Sequence, residues 1–488
     1  MIGTHVFSLA ETLGPKIQFS RSQKRLGECS LKCHSNALSI NLICFSTGTA
    51  YSWTSPLIPK FKSSNQLINP IGRPLTPEES GLLVSLINLG LFCGPIVCGF
   101  IVGKFGKKSV ILFTSLPLLL AHILCSFAKS FELFLVARIL MGFTSGAEWA
   151  VIPGYLSEIS DPKNRGLLNT LMMVASCLGC LFTYVVGPYV SVTWFSIFNL
   201  IPTILFFGLV YFLVPDSPYD LLTKKDVKAA KESLMKLKQT NDVRKDLLEI
   251  ESILEENSKN HAGFRDIFKN RGAVNALFIC SMLMIFNALA GTIIVLSYTQ
   301  SILDLMGESI PSAELAIIVG SVSFLATLIN CQLVDRLGRK PVIMLSCLIG
   351  SLSHASLGIF FHLQNSGLNI EKIKYLPICS VMIFMFSFYF GLAQAPYVIL
   401  GELFSPKIKA VASTICTSLN FGLAFIITLI YPYAIATVGI GNTFLFFSLM
   451  LAICVIFCGL KLPETKGKTF QEIYVLLDRG ANNQILKE

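Results

Sequence analysis

Lys104-Phe105-Gly106-Lys107-Lys108 stands between two apolar runs, and 232 residues later Arg336-Leu337-Gly338-Arg339-Lys340 stands between two more. Two further pairs follow in the same order. Glu158 precedes Arg165 by seven residues, as Glu402 precedes Lys409, at an offset of 244. Pro215-Asp216-Ser217 is matched by Pro463-Glu464-Thr465 at an offset of 248. Three motif pairs in one order at near-constant spacing indicate two related halves. In membrane carriers, parallel repeats place the substrate between the halves near the bilayer midplane, and one half rocks against the other.

The composition agrees that a bilayer is the solvent. Apolar residues make up 53% of the 488 residues and charged ones 14%, where soluble domains carry about 25% charged residues. A membrane-spanning helix needs roughly 20 mostly apolar residues. Such runs cover about 37–59, 81–102, 110–127, 131–154, 167–190 and 193–214. Six more begin near Ala273, Ala313, Pro341, Tyr375, Ala410 and Val438, the last ending near Leu460. The expected fold is all-α: twelve spans in two six-helix bundles, 37–214 and 273–462. A tail (1–36), a linker (215–272) and a second tail (463–488) flank and join them. In the linker, Leu247, Ile250 and Leu254 have helical spacing, so one or two amphipathic helices are expected there.

With the N-terminus inside, the segments on that side carry 32 Lys and Arg and the opposite loops carry 6. This asymmetry sets both termini in the cytoplasm. It also accounts for the net charge of +10 without invoking nucleic acid. The fifteen cysteines lie mostly inside apolar runs and act there as small apolar side chains. Cys29, Cys33 and His34 lack further metal ligands nearby, so no metal or cofactor is expected. No nucleophile–base pair marks an enzyme. Thr437-Val438-Gly439-Ile440-Gly441 lacks the context of an ion-selectivity filter.

The fourth span carries a motif that points to a family. Leu140, Gly142, Phe143 and Gly146 are followed by Tyr155, Glu158 and Arg165. The pattern resembles the signature of the sugar porter family of the major facilitator superfamily. Asp335-Arg336-Leu337-Gly338-Arg339-Lys340 resembles the superfamily's loop after its eighth helix. Pro463-Glu464-Thr465-Lys466-Gly467-Lys468-Thr469 matches the family's C-terminal motif. Gly48-Thr49 and Trp53-Thr54-Ser55-Pro56 are similar to the insect trehalose-transporter-like branch. The resemblance implies a facilitative carrier for a hexose or trehalose, in the plasma membrane, working as a monomer by alternating access.

Charged groups at helix ends suit a gate. Glu158, Arg165, Asp335, Arg336, Arg339, Glu402, Lys409 and Glu464 all fall at the basic end, where carboxylate–cation pairs can clamp helices. Gly103 and two lysines replace the usual acid and arginines of the first such loop, so its clamp is expected to be looser. Arg138 lies inside the fourth span, where a charge costs about 2.5 to 3.5 kcal/mol. Glu132 is not on the same helix face, so a partner on another helix is expected.

For the substrate, the resemblance implies a cavity lined by Trp149, Asn287, Tyr298, Gln300, Tyr397 and Asn420, with Met173 and Ile293 lining it without bonding. Several hydroxyl-reading groups usual in sugar porters are replaced here, by Met173, Ala288, Ile293 and Phe421. Each lost hydrogen bond weakens a polyhydroxyl ligand by about 0.5 to 1.5 kcal/mol, and aromatic stacking can compensate in part. Glu148 is an acid inside a span and thus a functional candidate. Proton-driven porters usually carry an aspartate on the first helix, where Thr49 stands here. Facilitated diffusion is therefore the simpler expectation. The alternatives are a proton-linked porter for another small metabolite using Glu148, and a non-transporting nutrient sensor.

Overall fold

A computed structural model describes residues 21–160, 165–240, 242–258, 271–305, 311–404, 406–466, 468, 472 and 477. For 21–34, 165, 167, 256–258, 331–336, 406–407 and 410 it describes the backbone alone. The described chain is helical throughout its spans. Ten helical segments are long and apolar enough to cross a bilayer. The count of twelve is completed in two ways. The segment 411–461 holds two spans, which meet at Gly439, whose φ of 84° breaks the helical path. The first span, Arg21–Ser52 continued by Thr54–Phe61, is too polar to register by hydropathy. Asn41, Ser46, Thr47, Thr49 and Ser52 are all buried inside the bundle rather than facing lipid.

The second to sixth spans are Pro77–Phe105, Lys107–Phe127, Phe131–Ile159, Arg165–Val186 and Val192–Leu213. The seventh is broken into Arg271–Leu289 and Thr292–Asp304, with Gly291 between them at φ 77°. The eighth and ninth are Ser312–Leu337 and Arg339–Asn365. The tenth is interrupted: Leu376–Ser387, a π-helical turn Phe388–Leu392, then Ala395–Leu403. Among its described residues the linker forms three short helices, Pro218–Thr223, Val227–Lys238 and Arg244–Ser258, where one or two were expected. The first span begins well inside the expected tail, at Arg21.

Local sequence explains several of these ends. Thr76 and Glu79 form a reciprocal capping box at the start of the second span, with Pro77 as its first residue. Gly106 and Gly338 sit at φ 83° and 92°, a conformation that L-residues rarely adopt. The two matching basic turns therefore reverse the chain in the same way. Gly142 lets the second and fourth spans touch through their backbones: a Cβ there would lie 1.9 Å from the Ile87 carbonyl oxygen. Small residues at such contacts allow the close helix packing that membranes favour.

The helix pairings repeat between the halves. The third and fourth spans pair as the ninth and tenth do, and the second and fourth as the eighth and tenth. Two apolar cores result, one in each half. Across the divide, Asn88 of the second span donates to Thr428 Oγ1 of the eleventh at 3.2 Å. Cys177 of the fifth lies 3.1 Å from Thr327 Oγ1 of the eighth.

Candidate functional site

A cavity of about 140 Å³ lies between the halves. Trp149, Met173, Asn287, Ile293, Tyr397 and Asn420 all line it, as does Phe421. Trp149 of the fourth span stacks on Tyr397 of the tenth, with centroids 5.6 Å apart and planes at 21°. Its indole Nε1 donates to Tyr51 Oη of the first span at 3.1 Å. These three rings form one wall of the cavity.

The two expected amides are engaged with each other. Asn420 Nδ2 donates to Asn287 Oδ1 at 3.1 Å, and Asn287 Nδ2 donates to the Leu392 carbonyl at 2.7 Å. That carbonyl belongs to the π-helical turn of the tenth span. Asn287 thus ties the seventh, tenth and eleventh spans together at the cavity wall. Thr292 Oγ1 is buried with no hydrogen-bond partner, so it is available to a ligand.

Tyr298 and Gln300 fall elsewhere. Tyr298 Oη donates to the Ser80 carbonyl at 3.3 Å, and its ring lies 5.0 Å from that of Tyr431. Gln300 N–H donates to Ser55 Oγ at 3.2 Å. With Thr54 Oγ1 donating to the Ser297 carbonyl at 3.2 Å, they form a seam between the first, second and seventh spans. The seam lies toward the end opposite the basic loops, beyond the helix break at Gly291, although Thr292, Ile293 and Leu296 after that break still line the cavity.

The sequence reading also passed over residues that do line it. Tyr51, Ser176, Cys177, Cys180, Thr292 and Tyr389 complete the wall. A signal existed: Ser176, Cys177 and Cys180 follow Met173 at helical spacing, and Tyr389 precedes Tyr397 by two turns.

Among the described residues, the charged motifs pair within each half. Lys107 Nζ lies 2.8 Å from both Glu158 Oε1 and Asp220 Oδ1. Asp220 also accepts the Lys107 backbone N–H at 2.6 Å. In the other half, the Arg339 guanidinium lies 3.1 Å from Glu402 Oε1, and Glu464 accepts the backbone N–H groups of Arg339 and Lys340, both at 3.1 Å. The counterpart of Glu464 is therefore Asp220, one helical turn beyond the Asp216 that the motif alignment selects. Burial works against the charge on Glu464, but the donors of Lys466, Arg339 and Lys340 outweigh it and hold its carboxyl below the usual range. The first clamp places two carboxylates on one lysine.

Lys409 is exposed and has no ion pair among the described residues; its Nζ sits beside Gly401. The side chains of Arg165, Asp335 and Arg336 lie outside the described residues. Arg138 makes no ion pair among the described residues either. It is fully buried, donates through Nε to the Leu83 carbonyl at 3.1 Å and through Nη1 to the Ala50 carbonyl at 2.6 Å, and packs 5.6 Å from the Trp53 ring centroid. The expected partner on another helix is thus a pair of backbone carbonyls and an aromatic face. Glu148 does not line the cavity; it lies behind Trp149 and is 5% exposed.

The family model for "Sugar (and other) transporter" matches residues 41–477. The facilitated trehalose transporter Tret1 of Polypedilum vanderplanki is 31% identical over 440 residues, covering 90% of this chain and 86% of that one. Tret1 of Apis mellifera ligustica is 27% identical with the same coverage. Among solved structures, a partially occluded inward-open form of the xylose transporter XylE from E. coli superposes with a TM-score of 0.74, at 20% identity, over 90% of this chain and 99% of that one. That likeness establishes the major facilitator fold. With two related six-helix bundles, a cavity between them, and a family match along nearly all of its length, the chain belongs to the sugar (and other) transporter family.

Proposed function

We propose that the chain is a facilitative sugar transporter working by alternating access, with a single pyranose ring as its substrate. The observation that carries this reading is the cavity between the halves, lined by aromatic rings. At about 140 Å³ it is close to the roughly 150 Å³ that holds one benzene ring in an engineered protein cavity. A cavity of this size between the Trp149–Tyr397 stack and the Asn287–Asn420 pair favours a single ring over a disaccharide. Aromatic faces offer the apolar side of a pyranose a surface, and Thr292, Ser176 and Tyr389 offer it hydroxyls. Trehalose is the second reading, favoured by the named function of relatives up to 31% identical.

In this reading the bundles 37–214 and 273–462 rock against each other, with the linker 215–272 beneath them. The seam at Thr54, Ser55, Tyr298 and Gln300 is the outer gate, and the Trp149–Tyr397 stack is the inner one. The carrier sits in the plasma membrane as a monomer with both termini cytoplasmic, supported by 32 bases against 6. Epitope tags at either terminus should then be reached only after permeabilisation.

The test is reconstitution in liposomes with labelled glucose and labelled trehalose. Saturable glucose entry that trehalose competes for weakly is expected. Preferential trehalose entry selects the second reading, and no entry of either sugar by folded protein removes the sugar assignment.

A further inference from the structure

Glu148 is a buried acid without a cation. Among the described residues no ion pair includes it, and an ionised carboxylate inside a bilayer-spanning bundle is costly unless paired. Its polar neighbours are on the first span. Thr47 Oγ1 lies 2.5 Å from Glu148 Oε2 and 3.1 Å from the Cys44 carbonyl. A hydroxyl has one proton to give and two lone pairs to receive. If Thr47 donates to the carbonyl one turn back, as Ser and Thr in helices do, the short contact to Glu148 needs its proton on the carboxyl.

The other groups around it do not supply a charge. Cys44 contacts the carboxyl through its thiol, and Asn41 beyond it has a buried amide nitrogen with no partner. Tyr51 lies on the same span, bonded to Trp149. Within one turn of Glu148 on the fourth span, Gly146 packs on Leu91 and Pro95 of the second span and Thr144 donates to the Thr114 carbonyl of the third, and none of these groups carries a charge. On the fifth span, Cys180 bonds the Gly48 carbonyl. Arg138 is bound to carbonyls and Lys107 to Glu158 and Asp220.

We propose that Glu148 is a proton-binding site, and that proton occupancy is linked to closure of the cavity at the Trp149–Tyr397 stack. Glu148 and Trp149 are consecutive residues on the fourth span, and both reach the first span, through Thr47 and Tyr51. Closure seals the carboxyl among apolar neighbours and favours its neutral form. Opening at the stack admits water behind Trp149 and favours the charged form. The same differential, read the other way, makes protonation favour the closed cavity. The site is distinct from the family's first-helix acid, whose place Thr49 occupies, and it does not depend on which substrate is carried.

Two measurements on the purified full chain test this without any sugar. The first is infrared difference spectroscopy between about pH 5.5 and about pH 8.5, a range wide enough to bracket a displaced carboxyl. A protonated-carboxyl band that titrates in this range and is lost in Glu148→Gln is expected. The second is acrylamide quenching of tryptophan fluorescence in Trp194→Phe, a substitution at a lipid-facing position 57% exposed. Trp53, fully buried, then gives a constant background, and Trp149 reports the cavity floor. Quenching should rise with pH in this protein and be flat when Glu148→Gln is added. A band unaffected by Glu148→Gln, or quenching that is flat in both proteins or rises equally in both, overturns the proposal. Should Glu148→Gln not fold, Thr47→Val keeps the acid and removes its hydroxyl partner. The band must then move in frequency, and an unmoved band is equally fatal. Absence of sugar uptake in the reconstitution would leave both readouts untouched.

Discussion

Replacing Lys107 by Met keeps the aliphatic stem and removes the ammonium that bridges Glu158 and Asp220 at 2.8 Å each. The three side chains are only 16–20% exposed. Exposed ion pairs contribute about 0.2 to 1 kcal/mol, whereas stranding a fully buried charge costs about 3 to 5 kcal/mol. The partial burial here sets the expected loss between them. The carboxylates also keep other donors: Asp220 retains the Lys107 backbone N–H at 2.6 Å, and Glu158 retains the Ser217 hydroxyl. A loss of about 2 kcal/mol follows, a few degrees in the melting temperature of a chain this size. The assay is thermal unfolding in detergent, followed by a maleimide dye that reacts with the buried cysteines as they emerge; Cys44, Cys125, Cys347 and Cys454 are all free and buried. Because the clamp joins the third and fourth spans to the linker of the same half, sugar affinity should stay within about twofold, under 0.5 kcal/mol. A melting curve identical to that of the unaltered protein would refute the energetic argument. A large affinity change with stability intact would show that the clamp acts between the halves.

Gly142→Ala forces a methyl into contact with the Ile87 carbonyl, so the second and fourth spans must separate; a loss of at least about 1 to 3 kcal/mol is expected in the same assay. Met173→Gln places an amide on the cavity wall, and glucose binding should tighten by about 0.5 to 1.5 kcal/mol, roughly two- to tenfold, measured by competition of uptake. Tyr298→Phe removes one hydrogen bond from the outer seam and nothing from the cavity, so it should raise the rate of opening to that side while leaving affinity unchanged, as read by sugar exchange kinetics. Glu464 has a folded carboxyl held below its unfolded value of about 4.3. Its contribution is therefore complete above that pH and lost as the pH falls through the lower folded value. Glu464→Gln should lower stability at neutral pH and flatten the acid limb of the stability curve.

How much was legible beforehand varied by element. The spans, the duplication and the basic turns were readable because apolar run length and charge placement are local quantities that a bilayer enforces. The broken first span is an instructive exception: its Asn, Ser and Thr residues face the bundle interior, so hydropathy alone understates it. Trp149, Met173, Asn287, Ile293, Tyr397 and Asn420, expected from the family resemblance, line the cavity, whereas Tyr298 and Gln300 lie in the seam beyond Gly291, whose positive φ is not visible in an apolar run. The partners of Arg138 were equally hidden, since a backbone carbonyl leaves no trace in residue type.

The sequence by itself determined that this chain crosses a membrane as two related bundles, and which loops carry the positive charge. Apolar length and base distribution act residue by residue and need no packing to take effect. Only the tertiary structure decided what the buried polar groups do. It turned Asn287 and Asn420 toward each other, gave Lys107 to Asp220 as well as Glu158, and set Glu148 against Thr47 with no ion pair among the described residues. Those outcomes depend on which helices lie side by side and at what rotation, and distances of 2.5 to 3.1 Å between residues 100 or more apart are fixed by packing alone.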